Sequence, residues 1–396
     1  MNLILFDDTQ YVELLPLTFY RPSAELKTGI LTNTHRWELL LNTNASHITR
    51  PYLQEKFPVQ LSPEPILVNG RLLPTPNVLA KIQSLLPGQG CRKNGVLLFA
   101  KPNSINNDSM EQMQEILQQS TELDQEVEMI NHSWDLFALT GKWLLHDMEL
   151  LTKGKKSQNL SSTNTVIGDG IVFLDEGAKA ECAIFNTTAG PVYLGKDAEV
   201  MEGAIIRGPF ALGEHSVVKM MAKIYGPTTI GPHCKVGGEI NNSVFLGYAN
   251  KAHDGFLGQA VIGEWCNLGA DTNNSNLKNT YEHVKLWSYA KQSFVQTGLQ
   301  FCGLIMGDHS KCGINTMFNT GSVVGVNCNI FGAGYQKNLI PSFAWGGGAK
   351  PYTDFNLAKS LKVAEAVYQR RDIPFDKTEQ DLMNAVYSIC KNNRNY

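Results

Sequence analysis

The chain has 396 residues, a formal net charge of −3 and only 18% charged residues. This length allows two or three domains, and the near-neutral charge gives no polybasic surface for binding nucleic acid or an anionic membrane. The chain starts without signal-peptide features, has no apolar run of transmembrane length and has no CxxC pair among eight cysteines, which predicts a cytoplasmic protein with reduced thiols.

The first 151 residues are predicted to form an α/β domain. Short apolar runs at Leu3–Phe6, Ile66–Val68 and Val96–Phe99 are typical of buried strands. Asp108–Thr121 carries apolar residues on one face, as an exposed helix would. Residues 152–164 are polar and show no apolar period, so we expect a linker there.

A repeat of eighteen residues organises residues 165–345. Gly-Pro pairs recur at Gly190, Gly208 and Gly226, and an aliphatic residue falls at every sixth position. A six-residue period fits neither an α-helix nor alternating strands, but it fits one short strand plus one corner, three of which make a triangular coil of parallel β-helix. The aliphatic positions are Leu194, Val200, Ile206, Leu212, Val218, Ile224, Ile230 and Val236, and the phase returns at Met306, Cys312, Phe318, Val324 and Ile330.

Residues 346–396 follow three consecutive glycines and contain two helical patterns. We expect these helices to cap or brace the open end of the coil stack, because a solenoid end exposes unpaired backbone groups. The apolar positions are Leu357, Leu361, Ala364 and Tyr368 in the first helix, and Leu382, Ala385, Val386 and Ile389 in the second.

The histidines of the coil region differ in their setting. His215, His233 and His309 each follow a corner glycine by two residues, where a solvated side chain is expected. His253 lies instead in residues 247–258, where the six-residue phase is broken. A loss of regularity in a solenoid often marks a functional site. From the residues alone, a catalytic role for His253 and a structural role both stay open.

Three short segments around His253 carry a family resemblance. They are Lys251-Ala252-His253, Phe256-Leu257-Gly258, and Val261–Ala270 with Asn276 after it. Together they resemble the acetyltransferase half of the bifunctional glucosamine-1-phosphate acetyltransferase/N-acetylglucosamine-1-phosphate uridyltransferase family. The resemblance implies a left-handed parallel β-helix of hexapeptide repeats, a homotrimer, and acetyl-CoA bound between neighbouring subunits. The spacing alone does not determine the handedness.

The resemblance also implies residue roles. His253 would be the general base that takes a proton from the sugar amine, and the N–H near Ala270 would bind the developing oxyanion. Substrate contacts are expected from Lys251, Phe256, Asn267, Lys285 and Lys223, and contacts to the acyl-CoA from Asn276, Thr297 and Ile314.

Two departures from the family pattern concern the sugar phosphate. The family tyrosine after the histidine is Phe256 here. Lys223 and the pair Asn241-Asn242 stand where the family places an arginine and a lysine on the phosphate. A site with fewer cations than the family pattern binds a phosphate dianion less tightly. The identity of the acceptor sugar therefore stays open.

The N-terminal domain is similar to the start of sugar-1-phosphate nucleotidyltransferases in its Leu14–Pro22 segment. The glycine-rich phosphate loop is replaced by Phe6–Gln10, the lysine after the second proline by Ser23, and the metal-binding aspartate by Arg71. Without these groups, nucleotidyl transfer would lose its main stabilisation. Replacement contacts are expected from Asp7 and Asp8 to Mg²⁺, and from Arg21, Lys27 and Asn69 to the nucleotide. An active domain and a remnant that only binds or scaffolds both stay open.

The sequence therefore predicts an acyl-CoA-dependent N-acetyltransferase for an amino-sugar 1-phosphate, joined to a nucleotidyltransferase-like domain, in UDP-N-acetylglucosamine biosynthesis. One alternative is a sugar-1-phosphate nucleotidyltransferase in which the β-helix is only a trimerisation scaffold. A second alternative is a non-catalytic binding or scaffold protein.

Overall fold

The computed structural model divides the chain into two compact units. The structure describes residues 2–61, 63, 65–105, 109–348, 350–391 and 394. The first unit comprises Met1–Leu14, Tyr20–Leu26 and Leu31–His132, and the second comprises Leu15–Phe19, Lys27–Ile30 and Ser133–Tyr396. Residues 133–151, which we expected in the α/β domain, thus cluster with the coil region.

The first unit is a mixed β-sheet with helices. Its strands are β1 (Asn2–Phe6), β2 (Ala45–Ile48), β3 (Pro65–Asn69), β4 (Gln89–Lys93), β5 (Val96–Lys101) and β6 (Thr121–Glu122). Its helices are α1 (Asn33–Leu41), α2 (Pro76–Gln83) and α3 (Ser109–Gln119), with 3₁₀ turns at Thr9–Leu14, Ser23–Glu25 and Pro51–Leu53. The strand order is β2-β1-β3-β5-β4-β6, in which β5 runs antiparallel to β3 and β4.

The three apolar runs of the N-terminal region are confirmed as strands. Alternate residues of β1 enter different hydrophobic clusters, Leu3 in one and Ile4 in the other. The strand is therefore buried on both faces, which explains a continuous apolar run without alternation. The helix expected over Asp108–Thr121 is observed as α3, and Asp108 itself lies outside the described residues.

From Ser133 onward, the second unit contains two helices, α4 (Asp135–Ala138) and α5 (Thr140–Thr152), and then a stack of short strands. The strands are β7 (Thr165–Ile167), β8 (Val172–Leu174), β9 (Lys179–Ala180), β10 (Ile184–Asn186), β11 (Val192–Leu194), β12 (Glu199–Val200), β13 (Ile205–Arg207), β14 (Phe210–Leu212), β15 (Val217–Val218), β16 (Lys223–Tyr225), β17 (Thr228–Ile230), β18 (Lys235–Val236), β19 (Glu239–Asn241), β20 (Val244–Phe245), β21 (Asn250–Lys251), β22 (Phe256–Gly258), β23 (Val261–Ile262), β24 (Asn267–Leu268), β25 (Asn273–Asn274), β26 (Lys285–Ser288), β27 (Ser293–Gln296), β28 (Leu304–Met306), β29 (Lys311–Cys312), β30 (Met317–Phe318), β31 (Ser322–Val324), β32 (Asn329–Ile330), β33 (Leu339–Ile340), β34 (Ala344–Gly346) and β35 (Thr353–Asp354). Two further helices, α6 (Leu357–Gln369) and α7 (Lys377–Cys390), close the unit.

These strands form the three faces of a parallel β-solenoid, which confirms the predicted architecture. The first face contains β7, β10, β13, β16, β19 and β22. The second face contains β8, β11, β14, β17, β20, β23, β28, β31 and β33. The third face contains β9, β12, β15, β18, β21, β24, β29, β32 and β34, with β35 antiparallel at its end. Between β25 and β28 the chain leaves the coil and forms the antiparallel hairpin β26–β27.

One side chain of each strand points to the solenoid axis and packs on its equivalents in the neighbouring coils. The predicted axial positions from Leu194 to Val236 are each at most 1% exposed, and those from Met306 to Ile330 at most 5%. Buried cysteines complete this core, and burial raises the pKa of the Cys234 thiol to about 12. The axial stack is therefore apolar over most of its length.

The segment after α5 is attached to the first coil. Residues 155–164 contain no helix or strand, as expected for a linker. However, the Gln158 N–H donates to the Leu174 carbonyl at 2.9 Å, and the Leu174 N–H donates to Ser157 Oγ at 3.0 Å. Leu160 packs against the solenoid core. The segment thus supplies the first coil with partners that a preceding coil would otherwise provide.

Helix α5 packs on the outward side of the second face. Leu144 and Met148 form one cluster with Phe173 and Tyr193, whose rings stack with centroids 5.8 Å apart. Apolar side chains on the outside of a solenoid need such a cover. This packing explains why α5 belongs to the solenoid unit.

A stack of rings runs along the corner between the second and third faces. The rings of His215, His233, Tyr248 and Trp265 follow one another at 4.3–4.9 Å. Tyr368 of α6 stacks on Trp265 at 4.2 Å. The terminal helices thus brace the side of the coils.

The position of α6 corrects one expectation. His309, which we expected to be solvated, is only 7% exposed, and its ring stacks with Tyr368 at 6.1 Å. The sequence frame of His309 is that of an open corner, but the helix covers it. No helix among the described residues is long and apolar enough to cross a membrane.

Replacing an axial side chain should destabilise the solenoid. We expect Ile206→Ala to lower the free energy of unfolding by about 2–5 kcal/mol, because it leaves a cavity in the axial stack. The neighbouring Ile205 is 44% exposed, so Ile205→Ala is a matched control with an expected loss of about 0.5 kcal/mol or less. Urea denaturation measures both, and equal losses would contradict the axial assignment.

Candidate functional site

Lys251 occupies an axial position of the third face. Its backbone pairs in register with Val236 of the preceding coil, and its side chain is only 1% exposed. A lysine therefore stands where the preceding coils place Ala180, Val200, Val218 and Val236. The six-residue period is interrupted in the sequence for two reasons: Lys251 replaces an aliphatic residue, and the corners of this coil are shorter. The coil itself continues through β21 and β22.

The buried ammonium of Lys251 organises the bend that follows it. Lys251 Nζ donates to the carbonyl oxygens of Gly237 at 3.1 Å, His253 at 2.7 Å and Asp254 at 3.2 Å. Burial lowers the pKa of Lys251 to about 8, while the carboxylate of Asp254 raises it. Because three carbonyls use all three N–H donors, Lys251 supports the bend from inside and has no donor left for a substrate.

The bend places His253 at an exposed corner, in one column with Ala270 and Ile314. Asn250 pairs with Asn267 in β24, and the Asp271 N–H donates to the Asp254 carbonyl at 3.0 Å. His253 thus lies beside Ala270, one strand spacing of about 4.8 Å away. The same register places Ile314 beside Ala270 on the other side, since the Asn315 N–H donates to the Ala270 carbonyl at 2.8 Å.

This corner column has the groups that an acyl transfer needs. The His253 side chain is exposed, and Ile314 is 72% exposed. Within the described part of the chain, the Ala270 N–H donates no hydrogen bond. A free N–H next to an exposed imidazole can receive a carbonyl oxygen while the imidazole receives a proton.

Asn267 lies on the outward row of the third face. The row runs from Lys235 through Asn250 and Asn267 to Lys311, in register across four coils. The Asn267 side chain is exposed, whereas Lys311 is half-buried and donates to the His309 carbonyl at 2.9 Å. Asn267 is therefore available to a ligand from this face.

Phe256 and Asn276 lie on the first-face side of the bend. Phe256 is half-buried, and its N–H donates to Asn273 Oδ1 at 2.7 Å. The Asn276 side chain donates to the Gln259 side chain. Asn276 therefore has a partner within the chain, and only its remaining amide groups are open to a cofactor.

Three expected contact residues lie away from the corner column. Lys223 is two coils before Phe256 on the first face and pairs with Glu239 at 3.3 Å. Lys285 is exposed on the hairpin. Thr297 directly follows the hairpin. Its hydroxyl donates to the Val284 carbonyl at 2.9 Å, and this hydrogen bond closes the base of the hairpin.

In the first unit, Asp7 is enclosed by donors. Its carboxylate accepts from the Ser23 N–H at 2.8 Å, from the Ser23 and Thr49 hydroxyls, and from the Arg50 guanidinium. The Asp7 side chain is only 4% exposed. Asp7 thus closes the strand end with a buried ion pair.

Asp8 is held in the same manner by Arg71. The Arg71 guanidinium, 1% exposed, donates to both oxygens of Asp8, and Asn69 donates to Asp8 Oδ2 at 2.9 Å. A guanidinium at each carboxylate neutralises the charge that would attract Mg²⁺. The two residues therefore do not fit a magnesium site, and no group of three or more potential metal ligands occurs among the described residues.

The residues expected on the nucleotide are largely buried. Asn69 also donates to the Leu97 carbonyl at 3.0 Å and accepts from the Arg71 N–H. Arg21 is 5% exposed in the first unit, and its carbonyl accepts from Arg50 at 2.8 Å. Lys27 is 8% exposed in the second unit and donates to the Ile30 carbonyl at 2.8 Å.

The sequence analysis missed the contribution of the C-terminal helix. Val367, Arg370 and Arg371 border the same cleft as Asn267 and Ala252, the residue before His253. The signal was an Arg-Arg pair directly after an apolar helical pattern. Spacing along the chain gave no indication that this pair meets the third face more than one hundred residues earlier.

The buried ammonium yields a prediction for Lys251→Met. This change leaves three carbonyls without their donor, so we expect a loss of about 3 kcal/mol in unfolding free energy and faster amide exchange at Asp271, whose N–H donates to the Asp254 carbonyl of the bend. Lys179→Met, at an exposed lysine of β9, is the control. If the Asp271 amide exchanges equally slowly in the two variants, the ammonium does not hold the bend.

The ion pair of the first unit yields a prediction for Asp8→Asn. Because the buried Arg71 charge would lose its partner, we expect unfolding free energy to fall by about 3 kcal/mol, measured by thermal denaturation. Asp124→Asn, at an exposed aspartate of the same unit, should have little effect. Unchanged stability combined with loss of a magnesium-dependent pyrophosphate release would identify Asp8 as a metal ligand instead.

Comparison with known proteins gives a family match for the N-terminal part and distant likenesses for the remainder. No curated protein sequence matches the chain. Similar solved structures are the polySia specific acetyltransferase NeuO (13% identity, 49% of this chain, 87% of that chain, TM-score 0.27), the Arabidopsis UDP-N-acetylglucosamine acyltransferase (15%, 60%, 85%, 0.21) and the Campylobacter jejuni UDP-N-acetylglucosamine acyltransferase (18%, 58%, 83%, 0.19). Residues 3–156 match the family model described as sugar nucleotidyl transferase, so the N-terminal part contains a sugar nucleotidyl transferase-like domain.

Proposed function

We propose that the solenoid unit is an acyl-CoA-dependent N-acetyltransferase for an amino-sugar 1-phosphate. The observation that carries this proposal is the corner column: an exposed His253 on a bend held by the buried Lys251 ammonium, beside the free N–H of Ala270. The sequence resemblance around His253 supports the choice of an amino sugar and acetyl-CoA as substrates.

In the proposed reaction, His253 is the general base. The amine nitrogen of the sugar attacks the thioester carbonyl carbon, and His253 takes a proton from that nitrogen as the N–C bond forms. The C–S bond then breaks, and the proton passes from the imidazole to the leaving thiolate. Histidine suits this exchange because its ordinary pKa lies near neutrality.

The surrounding groups would position the two substrates. The Ala270 N–H would donate to the thioester oxygen as negative charge develops on it. Asn267 would orient the sugar from the third face, and Phe256 would cover it from the first face. Ile314 and Asn276 would contact the acyl-CoA, the former through apolar surface.

The proposal extends to assembly and pathway. A homotrimer would place acetyl-CoA between neighbouring subunits, and the exposed apolar residues Met220, Met221 and Ile314 are suited to contact another copy. A cytoplasmic role in forming UDP-N-acetylglucosamine follows from the proposed substrates. Light scattering of the purified protein measures the oligomer.

A second candidate, sugar-1-phosphate nucleotidyl transfer, rests on the family match of residues 3–156. The ion pairs of Asp7 and Asp8 weigh against its metal-dependent form. Pyrophosphate release from UTP and a sugar 1-phosphate that persists in His253→Ala would support it. Stable protein with neither activity would indicate a scaffold.

The base assignment predicts a large kinetic effect. We expect His253→Ala to reduce free-thiol release from acetyl-CoA, with glucosamine 1-phosphate as acceptor, by about 10²–10⁴. His215→Ala, at an exposed corner histidine, should keep the wild-type rate. Near-full activity of His253→Ala would remove this residue from the mechanism.

A further inference from the structure

A cationic cleft lies between the third face of the solenoid and the C-terminal end of α6. Its volume is about 490 Å³. Lys235 and Lys311 line it from the coils, and Arg370 and Arg371 line it from the end of the helix. Four cations thus meet in one concave site that also contains Asn267.

The fold builds this site from two distant parts of the chain. The strand register places the two lysines on either side of Asn250 and Asn267 in one outward row. On the other side, the Tyr368 ring, 4% exposed, stacks on Trp265 and fixes the last turn of α6. The two arginines follow directly, so the ring stack holds them over the row.

The cleft has an unbalanced charge. Within the described part of the chain, the residues that line it include no aspartate or glutamate. The carboxylates of Glu214 and Glu264 act on the pKa of Tyr248, and that of Asp308 acts on the pKa of Cys266, so these acids lie near the cleft without lining it. A cleft lined by charges of one sign attracts ligands of the opposite sign, and an anionic ligand would offset the mutual repulsion of the four cations.

Lys311 shows the same imbalance. Burial lowers the pKa of Lys311 to about 8, and among the described residues its Nζ donates only to the carbonyl oxygens of Trp265 and His309. By contrast Lys223, which the sequence analysis expected on a phosphate, already pairs with Glu239. The cleft therefore offers an anion more cationic groups than the surface around Lys223 does.

We propose that this cleft binds the phosphate group of a phosphorylated substrate, with Arg370 and Arg371 as forked donors and Lys235 and Lys311 as point charges. Guanidinium groups bind phosphate oxygens in pairs, which fixes orientation as well as charge. Ala252 and Asn267 line the cleft, so its occupant would reach the corner that carries His253. In this respect the inference rests on the proposed function, because the bound phosphate would belong to a substrate of the proposed acetyl transfer.

Binding to an arginine-depleted variant tests the proposal. Arg370→Gln/Arg371→Gln removes two charges at exposed or half-exposed positions, and Arg207→Gln at an exposed arginine of the first face is the control. We expect calorimetry with glucosamine 1-phosphate, inorganic phosphate and CoA to show at least about tenfold weaker binding of one or more of them in the double variant. The control should bind as the wild type does.

The choice of probes identifies the source of the phosphate. Loss confined to glucosamine 1-phosphate and inorganic phosphate would assign the cleft to the acceptor sugar, and loss confined to CoA would assign it to the acyl donor. Unchanged affinity for all three probes in the double variant would overturn the proposal.

A kinetic assay separates this proposal from the proposed function. Weakened phosphate binding in the double variant, with no thiol release by the wild type, would leave the cleft standing and reject the acetyltransferase. In the converse outcome, thiol release depends on His253, and the KM of each substrate is the same in the double variant as in the wild type. That result would support the acetyltransferase and reject the phosphate-binding cleft.

Discussion

Each coil of the solenoid hydrogen-bonds to the coil before it and the coil after it, and this one-dimensional register decides which side chains become neighbours. It places His253 beside Ala270 and Ala270 beside Ile314, and it aligns Asn267 between two lysines on the adjoining face. Residues separated along the chain by one coil, or by the hairpin excursion, are thereby only one strand spacing apart. The candidate site is a consequence of that stacking.

The axial lysine shows how a solenoid can place a bend. An aliphatic side chain at position 251 would continue the apolar stack, but it could not donate hydrogen bonds to the carbonyls of the bend. The ammonium does so with all three N–H groups, at the cost of desolvating a charge. A buried charge is weak evidence for stability and better evidence for a specified conformation, here the one that exposes His253.

The first unit illustrates the difference between family and chemistry. Most of it lies within residues 3–156, which match a sugar nucleotidyl transferase model, yet Arg50 and Arg71 form ion pairs with the carboxylates that could have held a metal ion. A match to a family model indicates a similar domain, whereas the activity depends on the groups left free at the site. Here those groups are engaged in ion pairs that stabilise the strand ends.

The sequence by itself determined the parallel solenoid and its axial residues, because a six-residue period requires stacked short strands. The local break in that period led to the prediction of a functional site at His253. The sequence did not determine that Lys251 points inward, that His309 is covered or that Asp7 and Asp8 face guanidinium groups. It also gave no sign that Arg370 and Arg371 meet the third face. These depend on contacts between distant segments, which only the tertiary structure decided, since a linear pattern records which face a residue is on but not what packs against that face.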